Sequence, residues 1–368
     1  MKFLVVTNAP LLKAENKFSA YAPYVKEMDI WFRNVDEVGI IAPKSYPQKI
    51  FSKDFQNQNI KFFSIPFFQL KGILNFLKSI FILPLIFFKG FRAFLWADHI
   101  HLRCPGNIGL IGSVIQIFFP NKPKTVKYAG NWDPHSKQPW SYKLQKWILN
   151  NTFLSRNIKV LVYGNWPKQS KNIIRFFTAS FSKDAIVESD KDFRKPYKFI
   201  FVGSLTAGKR PLFAIRLMEI LMRNNIPVTL ELYGDGILRE EILEYIQVNN
   251  LEPFVKMMGN KDLNELIEAY KSAHFLILAS ISEGWPKAIA EAMFYGCIPI
   301  STAVSCIPWM LDEGERGILI DADLESASRK IMNALEDKAN LGVMSQRAQE
   351  WSASYTLERF ESEIQKFL

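Results

Sequence analysis

Phe275–Gly296 reads FLILASISEGWPKAIAEAMFYG. Its first five residues, FLILA, form a short apolar run of the kind that makes a fully buried strand. Gly284 lets the backbone turn tightly, and Pro286 is a residue favoured in the first turn of a helix. Gly296 then ends that helix. Strand, glycine turn and helix start together leave backbone N–H groups near Trp285–Ala288 facing outward, with the helix dipole behind them, which is an anion-binding arrangement. Glu283 lies in the turn and Glu291 in the helix, with seven residues between them, so both address one bound molecule from different heights. An amphipathic surface helix with ordinary exposed glutamates has the same local pattern.

The same grammar repeats on either side. Lys198–Gly203 (KFIFVG), Pro227–Gly234 (PVTLELYG), Ile298–Thr302 and Gly317–Ile320 are strand-like. Helical stretches open at Pro211, run over Ile237–Val248, and begin near Asp262, Pro286, Pro308 and Asp323. Strands alternating with helices of this length predict βαβ units and a parallel sheet, a Rossmann-like domain over 196–350. Two more loops carry ligand chemistry. Gly203–Pro211 (GSLTAGKRP) places Lys209 and Arg210 at a helix start, which suits a diphosphate. Tyr233–Gly236 (YGDG) allows close backbone approach to a flat ligand.

The first half repeats the alternation. Strands are predicted at Lys2–Thr7, Glu37–Ala42, Ile60–Ile65, His99–Leu102, Thr125–Ala129 and Lys159–Val162, and helices over 21–34, 70–95, 107–118, 138–154 and 167–177. Pro84 should kink or split the long helix. The polar stretch Ser182–Pro196 reads as a linker, and Ser354–Leu368 as a last helix. Domains over 1–190 and 196–350 would leave a cleft between their carboxyl strand ends.

Charge divides the halves. Residues 1–195 hold 29 Lys+Arg against 12 Asp+Glu, or +17; the remainder holds 17 against 24, or −7, giving the total of +10. The asymmetry points either to an anionic partner for the first half (a phosphorylated substrate, an anionic membrane or nucleic acid) or to a solvated basic face. Nucleic acid is the weakest of these, since no recognition-helix, RNP-like or zinc motif occurs. The 368-residue chain has no apolar run of membrane-spanning length. Its three cysteines, Cys104, Cys297 and Cys306, make neither a disulfide framework nor a zinc spacing. A cytoplasmic location is expected.

The succession GSL with Lys209, then YGDG, then EGWPKAIAE, then a strand and Pro308 resembles the nucleotide-sugar domain of family 4 retaining glycosyltransferases. The resemblance implies an α/β GT-B fold, two Rossmann-like domains facing a central cleft, with 351–368 crossing back onto the first. It implies that Lys209 neutralises the donor diphosphate, that Glu283 stands near the donor sugar and that Glu291 holds the ribose hydroxyls. The backbone of Gly284, Trp285 and Pro286, continuing to Lys287, would lie at the sugar and phosphate, and Gly203, Ser204, Arg210 and Gly234 around the nucleotide. No metal and no cofactor are implied; the donor is a substrate, a UDP- or GDP-linked sugar.

The chain departs from the family at three places. Ser204 stands where an arginine is usual, with Arg210 as the candidate substitute. Trp309 replaces a common glutamate. His101 matches the first of two family histidines and Arg103 stands where the second would be, so Arg103 is a candidate phosphate holder. His101 reads equally as a buried strand histidine. The catalytic candidates are therefore Glu283, Lys209, Arg103 and His101. Asn131, Asp133 and His135, in the loop NWDPHSKQPW, are candidate acceptor contacts. The apolar-basic stretch Ile60–Ala97 is either a crossover helix or a surface resting on anionic lipid. The expected function is a retaining glycosyltransferase acting on a lipid-linked or polysaccharide acceptor at the cytoplasmic face of a membrane. The alternative is a non-catalytic GT-B module that binds an anionic glycan or a partner enzyme.

Overall fold

Tyr197–Val202 (YKFIFV) is the first and central strand of the sheet that positions the site. Its neighbours are Val228–Tyr233 on one side and Phe275–Leu278 on the other. The full order is Val255–Gly259, Val228–Tyr233, Tyr197–Val202, Phe275–Leu278, Ile298–Thr302, Ile318–Ile320, with every pairing parallel. Counted along the chain this is 3-2-1-4-5-6, the doubly wound order, with its reversal between Tyr197–Val202 and Phe275–Leu278. Strands buried on both faces explain the unbroken apolar runs in the sequence. The computed structural model describes residues 1–14, 17–45, 52–68, 73–188 and 191–368, with side chains omitted at 73–78 and 80.

Two compact units result. The first comprises Met1–Phe176 with Glu361–Leu368, and the second Phe177–Phe360. The first has the order Ile60–Ile65, Glu37–Pro43, Lys2–Val6, His99–Cys104, Lys124–Tyr128, Ile158–Tyr163, Ile173–Phe176, again all parallel and again doubly wound. Its core packs Leu4, Val6, Ile100, Leu102, Val126 and Val160 against Ala93, Phe94, Ile108 and Ile115 from the crossover helices. A small antiparallel sheet, Leu12–Ala14, Lys17–Tyr21 and Ser52–Asp54, has no counterpart among the strands expected from the sequence.

Several expectations are corrected. Helix was expected over 167–177, but Ile173–Phe176 is an edge strand paired with Ile158–Tyr163; Phe176 packs edge-on against Phe367 of the last segment. The long helix runs Ile73–Trp96 without splitting at Pro84. Pro84 is exposed, and burial of Ile86, Ala93 and Phe94 beyond it offsets one lost hydrogen bond. Lys122 Nζ caps the carboxyl end of this helix by donating to the carbonyls of Phe94, Leu95 and Ala97. The strand Val255–Gly259 and the helix Lys338–Ala353 were not anticipated.

The stretch Ser182–Pro196, read as a linker, belongs to the second unit. Phe193 is buried against Phe275 and His274. Lys191 Nζ donates to the carbonyls of Tyr270, Lys271 and Ala273, capping the helix Leu263–Ser272.

Candidate functional site

The loops Gly203–Arg210 and Ala279–Pro286 follow the two strands at the sheet's reversal, the place where open parallel sheets bind ligands. Backbone joins them, because Ile281 N–H donates to Gly208 O at 2.9 Å. Side chains join them too: Lys209 Nζ donates to Glu283 Oε1 at 2.5 Å, with Glu283 8% and Lys209 27% exposed. Lysine and glutamate, 74 residues apart in sequence, thus form one half-open ion pair at the carboxyl end of the central strands. Arg210 has a left-handed φ of 52° just before Pro211, and its guanidinium donates to Ala279 O at 3.4 Å. It is therefore directed to the same strand end. Ser204 is exposed, with its hydroxyl 3.5 Å from that of Thr206.

Glu283 is held through its backbone. Its N–H donates to Ser305 Oγ at 3.0 Å, and Ser305 Oγ donates to its carbonyl at 2.6 Å. Ser305 lies at φ 56° in the loop after Ile298–Thr302. The Cys306 thiol donates to Gly284 O at 3.1 Å. This support was missed in the sequence, where Ser305 and Cys306 carry no pattern of their own.

Pro286 precedes the helix Lys287–Phe294 and no side chain caps its start, so its first N–H groups lack intrahelical partners. Lys287 is half-buried there. The Trp285 side chain turns away into an aromatic cluster, 6.1 Å from Trp351, 5.7 Å from Tyr355 and 6.3 Å from Trp309. Trp309, in the place of the expected glutamate, is thus a packing partner of this loop. Farther along the helix, Glu291 Oε1 accepts from Ser180 Oγ at 2.6 Å and Oε2 from the Tyr270 hydroxyl at 3.0 Å. Burial, reinforced by Glu291, pushes the Tyr270 phenol well up, so Tyr270 acts as a donor.

The glycines of YGDG serve a different purpose from the one expected. Gly234 has φ +132°, and a Cβ on it would come within 2.0 Å of Gly203 O; on Gly236 it would come within 2.5 Å of Leu205 O. Their free space is filled by the neighbouring loop, not left open for a flat ligand. Leu205 N–H donates to Asp235 O and Leu238 N–H to Leu205 O, both at 3.0 Å, completing the clamp. Gly203 itself has no such contact closer than 3.8 Å.

In the first unit, His101 is fully buried and cannot touch a substrate in this arrangement, which corrects its catalytic candidacy. Its ring centre lies 4.4 Å from that of Trp31 and 5.7 Å from that of Phe3. His101 Nδ1 and His99 Nε2 approach Thr125 Oγ1 at 2.9 and 3.0 Å. The hydroxyl has one proton and two lone pairs, so it can donate to at most one imidazole and must accept from the other. Burial holds His101 well below its ordinary value, helped by Arg103, and brings His99 down to about 4. Arg103 is committed to an ion pair with Glu27 and lies over the Tyr24 ring, which leaves the phosphate-holding expectation without a free guanidinium.

Asn131 and Asp133 shape their own loop. Asn131 Oδ1 accepts from Asp133 N–H at 2.9 Å and Asp133 Oδ1 from His135 N–H at 2.8 Å. These are side-chain turns that set backbone direction. The two aspartates of Asp321–Ala322–Asp323 are likewise structural: Asp321 pairs with Lys330, and Asp323 caps the helix Leu324–Glu336 by accepting from Ser326 N–H. No group of three or more His, Cys, Asp or Glu side chains able to hold a metal occurs among the described residues.

Residues 182–351 match the family model described as glycosyl transferases group 1. Two bacterial relatives match part of the chain. One is an α-1,4-N-acetyl-D-galactosaminyltransferase of Campylobacter jejuni named for a diphospho-undecaprenol-linked saccharide. It is 27% identical over 155 residues, 41% of this chain and 42% of the relative. The other is a UDP-Gal:α-D-GlcNAc-diphosphoundecaprenol α-1,3-galactosyltransferase of Escherichia coli, 28% identical over 156 residues, 41% and 40% of the two chains. The matched segments span less than half the length of these curated relatives. Among solved structures, HepE of Anabaena in complex with UDP aligns with a TM-score of 0.68 at 14% identity over 99% of this chain and 98% of that one. The fold is GT-B, built from two Rossmann-like α/β units. The family match and the relatives' named activities support a glycosyltransferase.

Proposed function

We propose that the chain is a retaining glycosyltransferase that moves a sugar from a nucleotide-diphosphate donor, UDP- or GDP-linked, to a lipid-linked or polysaccharide acceptor in bacterial surface-glycan synthesis. The observation that carries this reading is the Lys209–Glu283 pair at the sheet's reversal, next to an uncapped helix start. The ammonium rests on Glu283; with donor bound it would turn to the diphosphate and leave the carboxylate facing the sugar. Lys209, Arg210 and the N–H groups at Trp285–Ala288 would stabilise charge on the leaving diphosphate, the role a divalent ion plays elsewhere. Glu291, oriented by Ser180 and Tyr270, would accept from the ribose hydroxyls. Retention follows if the acceptor attacks from the side of the leaving group, whose phosphate oxygen takes the acceptor proton. The relatives' diphospho-undecaprenol-linked substrates support a lipid-linked acceptor.

The outer face of the helix Ile73–Trp96 would rest on the membrane that carries such an acceptor. Phe81 is 84% exposed, and Leu85, Phe88 and Leu95 continue the same face. Arg92 lies over Phe88. Exposed apolar groups beside basic ones suit an anionic lipid surface. No helix among the described residues is long and apolar enough to cross a membrane.

The test is product analysis. The protein is incubated in EDTA with a panel of α-linked UDP- and GDP-sugars and a short-chain diphospholipid-linked sugar, and the new anomeric centre is read by proton NMR. An α product supports the reading. A β product overturns retention, hydrolysis without transfer overturns the transferase reading, and no turnover across the panel overturns the enzyme reading.

A further inference from the structure

The first unit holds a pocket of about 550 Å³ beside the helix Trp140–Asn150, lined by residues of that unit alone. That volume suits a small-molecule site. Lys143 and Lys146 stand one helical turn apart on its wall. Lys146 Nζ donates to Asp133 O at 2.9 Å and lies 5.5 Å from the Trp132 ring centre. Neither lysine forms an ion pair among the described residues, and no Asp or Glu lines the pocket.

The asparagines add donors of the same sense. Asn150 Oδ1 already accepts from Ser170, and Asn151 Oδ1 accepts from Phe153 and Leu154 N–H. The amide NH2 groups of both have no partner among the described residues. The lining therefore offers two lysines and two amide donors and no carboxylate of its own, although burial brings the Lys146 ammonium down to about 8 and Asp133, beside the lining, partly offsets this. Trp132 and Trp147 also line it, and Trp147 is 60% exposed. An indole face takes an apolar ring face, while the donors require an acceptor-rich, negatively charged edge.

We propose that this pocket binds an anionic saccharide, with the sugar ring against Trp147 and its carboxylate or phosphate between Lys143 and Lys146. The inference stands apart from the donor reading, because the pocket lies wholly in the first unit and the donor loops in the second. Calorimetric titration of the full chain with tetragalacturonate, glucose 1-phosphate, neutral maltotetraose and UDP tests it. At least one anionic sugar should bind about tenfold more tightly than maltotetraose and weaken with added salt. Lys143→Ala and Trp147→Ala, both surface changes, should each weaken that binding about fivefold while leaving the thermal midpoint in place.

Preference for tetragalacturonate assigns a carboxylate sugar, and preference for glucose 1-phosphate a phosphate-linked one. Equal binding of maltotetraose, no anionic binding at about 10 mM, unchanged affinity in both variants, or competition by UDP would overturn the proposal. Loss of UDP binding to wild type would sink the donor reading alone.

Discussion

Replacing His99 with Gln and His101 with Asn removes two titrating groups yet keeps an amide at each point where an imidazole nitrogen meets Thr125. Both imidazoles are neutral in the folded chain because burial lowers their affinity for protons, with Lys124 adding to the effect at His99 and Arg103 at His101. In the unfolded chain they titrate near the ordinary value of 6.5. Below that pH the unfolded state binds protons that the folded state refuses, so stability is fully present above about pH 6.5 and is lost as pH falls. The slope approaches about 1.4 kcal/mol per pH unit for each histidine. His99 alone, brought down to about 4, accounts for a loss of about 3 kcal/mol across its window. Urea unfolding followed by tryptophan fluorescence, at steps from pH 7.5 to 4.5, measures the effect for wild type and variant. Carboxylates common to both proteins cancel in the difference. The variant starts less stable, since His101 packs on Trp31, but the gap should close by about 2 kcal/mol or more as pH falls. Parallel pH profiles would refute the argument and would mean that the histidines are accessible to protons in the folded chain.

Three further outcomes follow from the site. Ser305→Ala strips both backbone bonds from Glu283 and should cost about 1–3 kcal/mol in chemical denaturation; no change would mean that the loop is held by other contacts. Gly234→Ala forces a Cβ onto Gly203 O and a left-handed φ on alanine, so soluble protein with wild-type stability would contradict the loop clamp. Phe81→Ser with Phe88→Ser should lower flotation with vesicles containing anionic phospholipid by several fold at unchanged midpoint; unchanged flotation would remove that helix face from membrane contact.

Much of the second unit was legible because its loops are punctuated. Gly203, Gly284, Pro211 and Pro286 sit between apolar runs and helical periods, and the structure places strand ends and helix starts beside them. Val255–Gly259 (VKMMG) escaped because it lacks the β-branched run that marked the other strands. Lys338–Ala353 escaped because polar residues surround its buried Leu341, Met344 and Ala348. Ile173–Phe176 was misread as helix, since four residues hold too little period to tell an edge strand from a helical turn. Around the candidate site, Lys209 and the glutamates were readable from their loops. What holds them was not: Ser305 reaches Glu283 across 22 residues and Ser180 reaches Glu291 across 111. Such contacts depend on sheet topology and leave no local trace. The burial of His101 was one of two open readings, and only the packing of Trp31 decides it.

Equilibrium binding of UDP and GDP in the presence of EDTA, to wild type and to Lys209→Met, tests the central claim most directly. One charge-assisted contact to a diphosphate contributes about 1.5–3 kcal/mol, so the variant should bind the preferred nucleotide about ten- to a hundredfold more weakly. Equal affinity in the two proteins, or no binding of either nucleotide to wild type, would contradict a donor diphosphate seated on Lys209.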